Sequence, residues 1–242
     1  MEMDNWVVDT RHGPIPVHGR PSQFNVKRPA LLIIRGVFPD PNMLGLMPDR
    51  LPDADVVLTD MPGMNSPLLN ENNIQTFGET FDEVADTIFP AREVNVFGVS
   101  AGGLIALAMR SPRLRRLLLI DTPLTTGRCW PLRPLWTRAA GDAHLLGWLQ
   151  TILGIGPLGI EDRDYRSLFN GLTARTVVLI GGEALGGPRA LDRMPSLVAD
   201  ADREAYLNHP LVYVRTIAGV GHNIPRDAMG PLMDVLRVTA AP

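Results

Sequence analysis

The sequence predicts an α/β protein: a mostly parallel, eight-stranded sheet with helices on both faces and a small helical cap inserted after the sixth strand. Three observations lead there. Eight short apolar runs rich in Val, Ile and Leu recur along the chain, and helical patterns separate most of the later ones. More than fifty residues between the sixth and seventh runs carry no strand signal.

Taken in order, Trp6–Val8 and Ile15–His18 flank the turn sequence Arg11-His12-Gly13-Pro14 and read as a hairpin. Leu31–Ile34, Val56–Thr59, Val94–Phe97, Leu117–Ile120, Val177–Ile180 and Val212–Ile217 follow. Most are continuous rather than alternating, the pattern of parallel strands covered on both faces. Between the fourth and fifth runs, Phe77, Phe81, Val84, Ala85 and Ile88 share one helical face, and Pro90 ends the run. Leu104–Met109 reads as the next helix, and Met229, Leu232, Met233 and Leu236 as the last. Residues 125–173 hold three of the four tryptophans, Trp130, Trp136 and Trp148, and the apolar run LLGWLQTILGIG. They read as a helical cap over one end of the sheet, two further core helices being the alternative. The whole chain, 1–242, then forms one domain.

Composition excludes several classes. At 242 residues, 45% hydrophobic and 20% charged, the chain matches an ordinary globular protein. A net charge of −3 and no dense basic stripe argue against nucleic acid. Arg113–Arg116 reads as a solvated turn. The N-terminus lacks the basic-then-apolar layout of a secretory signal. Leu145–Ile160, the longest apolar stretch, is broken by Gln150 and four glycines, too short to span a bilayer. The single cysteine, Cys129, cannot form an internal disulfide, so a cytoplasmic location is expected. No His/Cys spacing suits a metal site, and association of copies stays open.

The chemistry centres on Val96–Pro112, where a β-branched run meets a helical one through Gly98-Val99-Ser100-Ala101-Gly102. A serine at a sharp strand-to-helix turn carries strained backbone angles and lifts its hydroxyl clear of the sheet. The residues two before and two after it must be small, because neighbouring backbone passes close by. Ser100 is therefore the candidate nucleophile, and the helix N-terminus behind it favours developing negative charge.

With this elbow after the fifth run and the insertion after the sixth, the chain resembles the α/β-hydrolase family over nearly its whole length. TDMPGMNSP is similar to the family's D-x-P-G turn after the fourth strand, and AGVGHNIPRDAM to its histidine loop. His222 has support of its own as general base. Among the five histidines, it alone lies in a glycine-flanked loop between the last strand and the last helix, at the strands' C-terminal end.

The resemblance implies an acid shortly after the seventh strand, but Leu185 stands there, in LIGGEALGG. Two substitutes are open: Asp121, ending the sixth strand, which some family members use, and Glu183. The oxyanion hole is expected from the backbone amides of Ala101 and Val37, with Gly36 freeing the backbone beside the latter. Where the family commonly has His-Gly, this chain has Arg35-Gly36. Arg35 either supports the loop, recognises a substrate carboxylate, or pairs with Asp121. Cys129 reads as a buried, inert thiol.

The reaction implied is serine hydrolysis of a carboxylic ester or thioester without cofactor. Trp130, Trp136 and Trp148 point to a small hydrophobic substrate. The same scaffold also hosts C–C hydrolases, acyltransferases, lyases and oxygenases, and the missing aspartate at Leu185 keeps a small-molecule receptor open.

Overall fold

In a computed structural model, which describes residues 3–37, 47–63, 66–186 and 194–239, the eight apolar runs form one sheet. Its strands are β1 (Asp4–Thr10), β2 (Gly13–Gly19), β3 (Ala30–Ile34), β4 (Asp55–Thr59), β5 (Val94–Val99), β6 (Leu114–Ile120), β7 (Arg175–Gly181) and β8 (Val212–Ile217). They lie in the order β1-β2-β4-β3-β5-β6-β7-β8. β2 runs antiparallel to both its neighbours, and every pairing from β4 to β8 is parallel. Met64 and Asn65, in the turn after β4, and Gly187, beyond β7, lie outside the described residues.

Among the described residues the helices are α1 (Met47–Arg50), α2 (Ile74–Ile88), α3 (Ala101–Ala108), α4 (Pro134–Arg138), α5 (Ala143–Leu153), α6 (Asp200–Leu207), α7 (Ile224–Asp227) and α8 (Met229–Thr239). Alternation along the strands divides the core in two. Ala30, Leu32 and Ile34 join Phe77, Phe81 and Leu104 on one face of the sheet. Leu31 and Ile33 join Met47, Leu232 and Leu236 on the other. Both faces are thus covered, which is why the central strands are apolar at nearly every position.

Local signals set the helix ends. The Asn73 side chain accepts from Thr76 N–H at 2.9 Å and caps α2. Asp142 caps α5 by accepting from the amides of His144 and Leu145, and Gly154, at φ 66°, closes it. α3 is buried on all sides, so it shows no polar stripe. It crosses α2 at Gly78, where a side chain would run into the Ala108 carbonyl.

The segment between β6 and β7 holds α4, α5 and two 3₁₀ turns, at Trp130–Leu132 and Arg166–Gly171. The start of α5 approaches the turn after β4: a Cβ added to Gly63 would lie 3.6 Å from the His144 carbonyl oxygen. The segment therefore reaches the edge where the parallel strands end. No helix among the described residues is long and apolar enough to cross a membrane.

Candidate active site

Ser100 occupies the turn between β5 and α3, at φ 54° and ψ −121°, a conformation that L residues rarely adopt. The packing around it explains the glycines. A Cβ on Gly98 would stand 2.6 Å from Gly103 Cα, and one on Gly102 would stand 2.5 Å from the Arg35 carbonyl oxygen. The strained turn holds only because backbone presses on it from both sides. Ser100 N–H donates to the Ile120 carbonyl at 2.8 Å, and its carbonyl accepts from Gly103 N–H at 2.9 Å. Its side chain makes no capping bond to α3, so the hydroxyl is not spent on the helix.

One strand over, Asp121 follows the end of β6, at φ 43° and fully buried. Four donors converge on its carboxylate. Oδ1 accepts from Gly181 N–H at 2.9 Å and from the Ser196 hydroxyl at 2.6 Å. Oδ2 accepts from Leu197 N–H at 2.8 Å and lies 2.7 Å from His222 Nδ1. An ionised carboxylate only accepts, so Nδ1 carries the hydrogen and Nε2 keeps a free lone pair. His222 is itself 9% exposed, and its amide donates to the Met194 carbonyl at 3.0 Å.

Of the two candidate carboxylates, Asp121 is the one in contact with His222 Nδ1. The Glu183 amide donates to the Val220 carbonyl at 2.9 Å and its carbonyl accepts from Ser196 N–H at 2.8 Å, so its backbone braces the loop around the histidine. The backbone just after Asp121 is held as well. The buried carboxylate of Asp202, on α6, accepts from Leu124 N–H at 3.0 Å and from the Thr125 hydroxyl at 2.9 Å. Burial pushes that carboxyl above the usual range, and these donors oppose the shift. The Tyr206 hydroxyl donates to the Thr122 carbonyl at 2.9 Å. Sequence reading missed Ser196, Asp202 and Tyr206, none of which sits in a motif.

Ala101 is the first residue of α3, where backbone N–H groups lack helical partners. Gly36 and half-buried Val37 follow β3, and a Cβ on Gly36 would stand 3.3 Å from Ser100 Cβ. Ala101 and Gly36, the residue before Val37, therefore flank the serine. Arg35 does not pair with Asp121. Its Nη2 lies 3.2 Å from Asp60 Oδ1, at the exit of β4, because β3 and β4 are neighbours while β6 lies beyond β5.

The tryptophans separate. Trp148 is fully buried among Leu145, Leu149 and Ile152. Trp130, 52% exposed, and Trp136 line a groove of about 530 Å³ with Arg133 and Pro157. Cys129 is buried, which raises its thiol to about 12.

No protein-family model matches the sequence, and no curated protein is significantly similar to it. Solved structures do match. The carboxylesterase CesB from Bacillus subtilis superposes with a TM-score of 0.70 at 14% identity, over 98% of this chain and 91% of that one. The thioesterase domain from the curacin biosynthetic pathway gives 0.61 at 14%, over 98% and 99%. A bromoperoxidase from Bacillus anthracis gives 0.68 at 14%, also over 98% and 99%. Strand order, elbow and near-full coverage together establish the α/β-hydrolase fold.

Proposed function

We propose that this α/β-hydrolase-fold protein is a serine hydrolase that cleaves a carboxylic ester or thioester through an acyl-enzyme. One observation carries the reading: His222 is held by Asp121, and Asp121 directly follows Ile120, which is in register with Val99 and accepts from the Ser100 amide. In the proposed cycle, Ser100 Oγ attacks the acyl carbon while His222 Nε2 takes its proton and passes it to the leaving group. Asp121 holds the ring and the imidazolium that forms. The amides of Ala101 and Val37 bind the oxyanion, each worth about 3 kcal/mol in the transition state. Water, deprotonated by His222, then releases the acyl group. The substrate in this reading is small and apolar, a part that rests on the tryptophan-rich inserted segment, where Trp130 and Trp136 line a groove together with Arg133 and prolines.

The test is a fluorophosphonate probe with a panel of nitrophenyl esters. Wild type labels at Ser100 and hydrolyses, with longer acyl chains preferred over acetate, and Ser100→Ala does neither. A wild type that neither labels nor turns over is a binder on this scaffold, and the hydrolase reading fails. Preference for acetate removes the apolar-substrate part alone.

A further inference from the structure

A chain of polar contacts runs from the N-terminal hairpin to the backbone beside Ser100. On β1, Asn5 Oδ1 lies 2.5 Å from His18 Nδ1, on β2. His18 Nε2 lies 3.0 Å from Asp60 Oδ2. Asp60 Oδ1 lies 3.2 Å from Arg35 Nη2, and the Asp60 amide donates to the Pro16 carbonyl at 3.0 Å. The Arg35 and Asp60 side chains are only 12% and 11% exposed.

Burying a guanidinium is costly, and an ion pair there is a weak source of stability compared with apolar packing. Desolvation lowers the Arg35 pKa despite Asp60 beside it. What the pair does supply is position: one guanidinium nitrogen, Nη2, rests against a carboxylate that is itself held by a second strand, while the buried Nε makes no hydrogen bond. That position matters because Arg35 is part of the elbow's wall. Its carbonyl abuts Gly102, and the next residue, Gly36, packs against the Val99 carbonyl and Ser100. A shift of Arg35 carries Gly36 and Val37 with it, while Ser100 stays fixed by β5 and β6.

We propose that Arg35, clamped by Asp60 and through it by His18, is a positioning residue that sets the Val37 amide for the oxyanion. The proposal rests on the reading of Ser100 as an acylated nucleophile. Arg35 touches no substrate in this scheme, so its loss weakens transition-state binding and leaves ground-state binding alone.

The experiment compares wild type, Arg35→Met, Arg35→Lys, Asp60→Asn and the Arg35→Met/Asp60→Asn double variant on one nitrophenyl ester. Active sites are counted with the fluorophosphonate. Arg35→Met lowers kcat per titrated site about 10- to 100-fold with KM within about twofold, as expected when an oxyanion donor is misplaced. Arg35→Lys, which keeps the charge, recovers part of the loss, and the double variant costs no more than Arg35→Met alone. A purely structural arginine gives the opposite result: fewer titratable sites and a lower Tm, with kcat per site unchanged. That result overturns the proposal, and so does a loss confined to KM. Should Arg35→Met fail to fold, Asp60→Asn, which preserves volume, is held to the same two criteria. A wild type that neither labels nor hydrolyses defeats the hydrolase reading instead.

Discussion

At the scale of single residues, the site turns on which carboxylate meets the histidine. Asp121 does so with all its acceptor capacity engaged, by Gly181, Ser196, Leu197 and His222. Replacing it by Asn disturbs the ring's tautomer, so Asp121→Asn lowers kcat by about 10⁴-fold. Glu183→Gln leaves kcat within a few-fold. Ester hydrolysis by the two purified variants decides it, and the reverse ranking would return the acid role to Glu183. Sequence could name both carboxylates but not choose, because the choice depends on the Asp121 backbone at φ 43° and on where the histidine loop docks against Met194. Neither leaves a local signature. Cys129 was legible, since a lone cysteine in the inserted segment, away from any nucleophile turn, is more often buried than reactive. With its thiol raised to about 12, it reacts with a disulfide reagent at pH 8 only after urea is added. Fast modification of the native protein would contradict the burial.

At the scale of elements, the central strands were legible as near-continuous apolar runs buried on both faces, and the N-terminal hairpin through its turn. Helix α2 was legible through its periodic face. Helix α6 was not, and the reason is physical. Its inward residues are Asp202 and Tyr206, a carboxylate and a phenol that pin the β6 exit, so hydrophobic periodicity does not see it. α1 and α7 are single turns of four residues, too short for any period. Capping and close crossing give element-scale tests. Asn73→Ala removes the α2 cap and costs about 1 kcal/mol, which lowers Tm by about 2–4 °C in a chain of this size. Gly78→Ala drives a methyl into the Ala108 carbonyl and costs about 1–3 kcal/mol. Thermal melts of both check the order, and a Gly78→Ala protein as stable as wild type would mean that α2 and α3 do not cross so closely.

At the scale of the whole molecule, burial of Asp202 links stability to pH. Its carboxyl is raised in the folded state, so folded protein holds the proton that unfolded chain has released. Its contribution to stability therefore falls as pH rises from about 4 through the raised value. Asp202→Asn removes that dependence and keeps acceptors for the Leu124 and Thr125 amides. Urea midpoints taken between pH 4 and 7 separate the two proteins. The variant gains on wild type as pH rises, and parallel curves would show that the carboxyl titrates normally.

The partners of Asp121 have a consequence for how the chain comes to life. All four lie 60 to 101 positions downstream of it, in three segments made after the nucleophile turn. A half-synthesised polypeptide, emerging amino end first, carries its serine idle. Any cut that separates position 121 from position 222 silences the protein too, unless the pieces find each other again. In the proposed cycle, turnover therefore waits until the last partner of that carboxylate has been made.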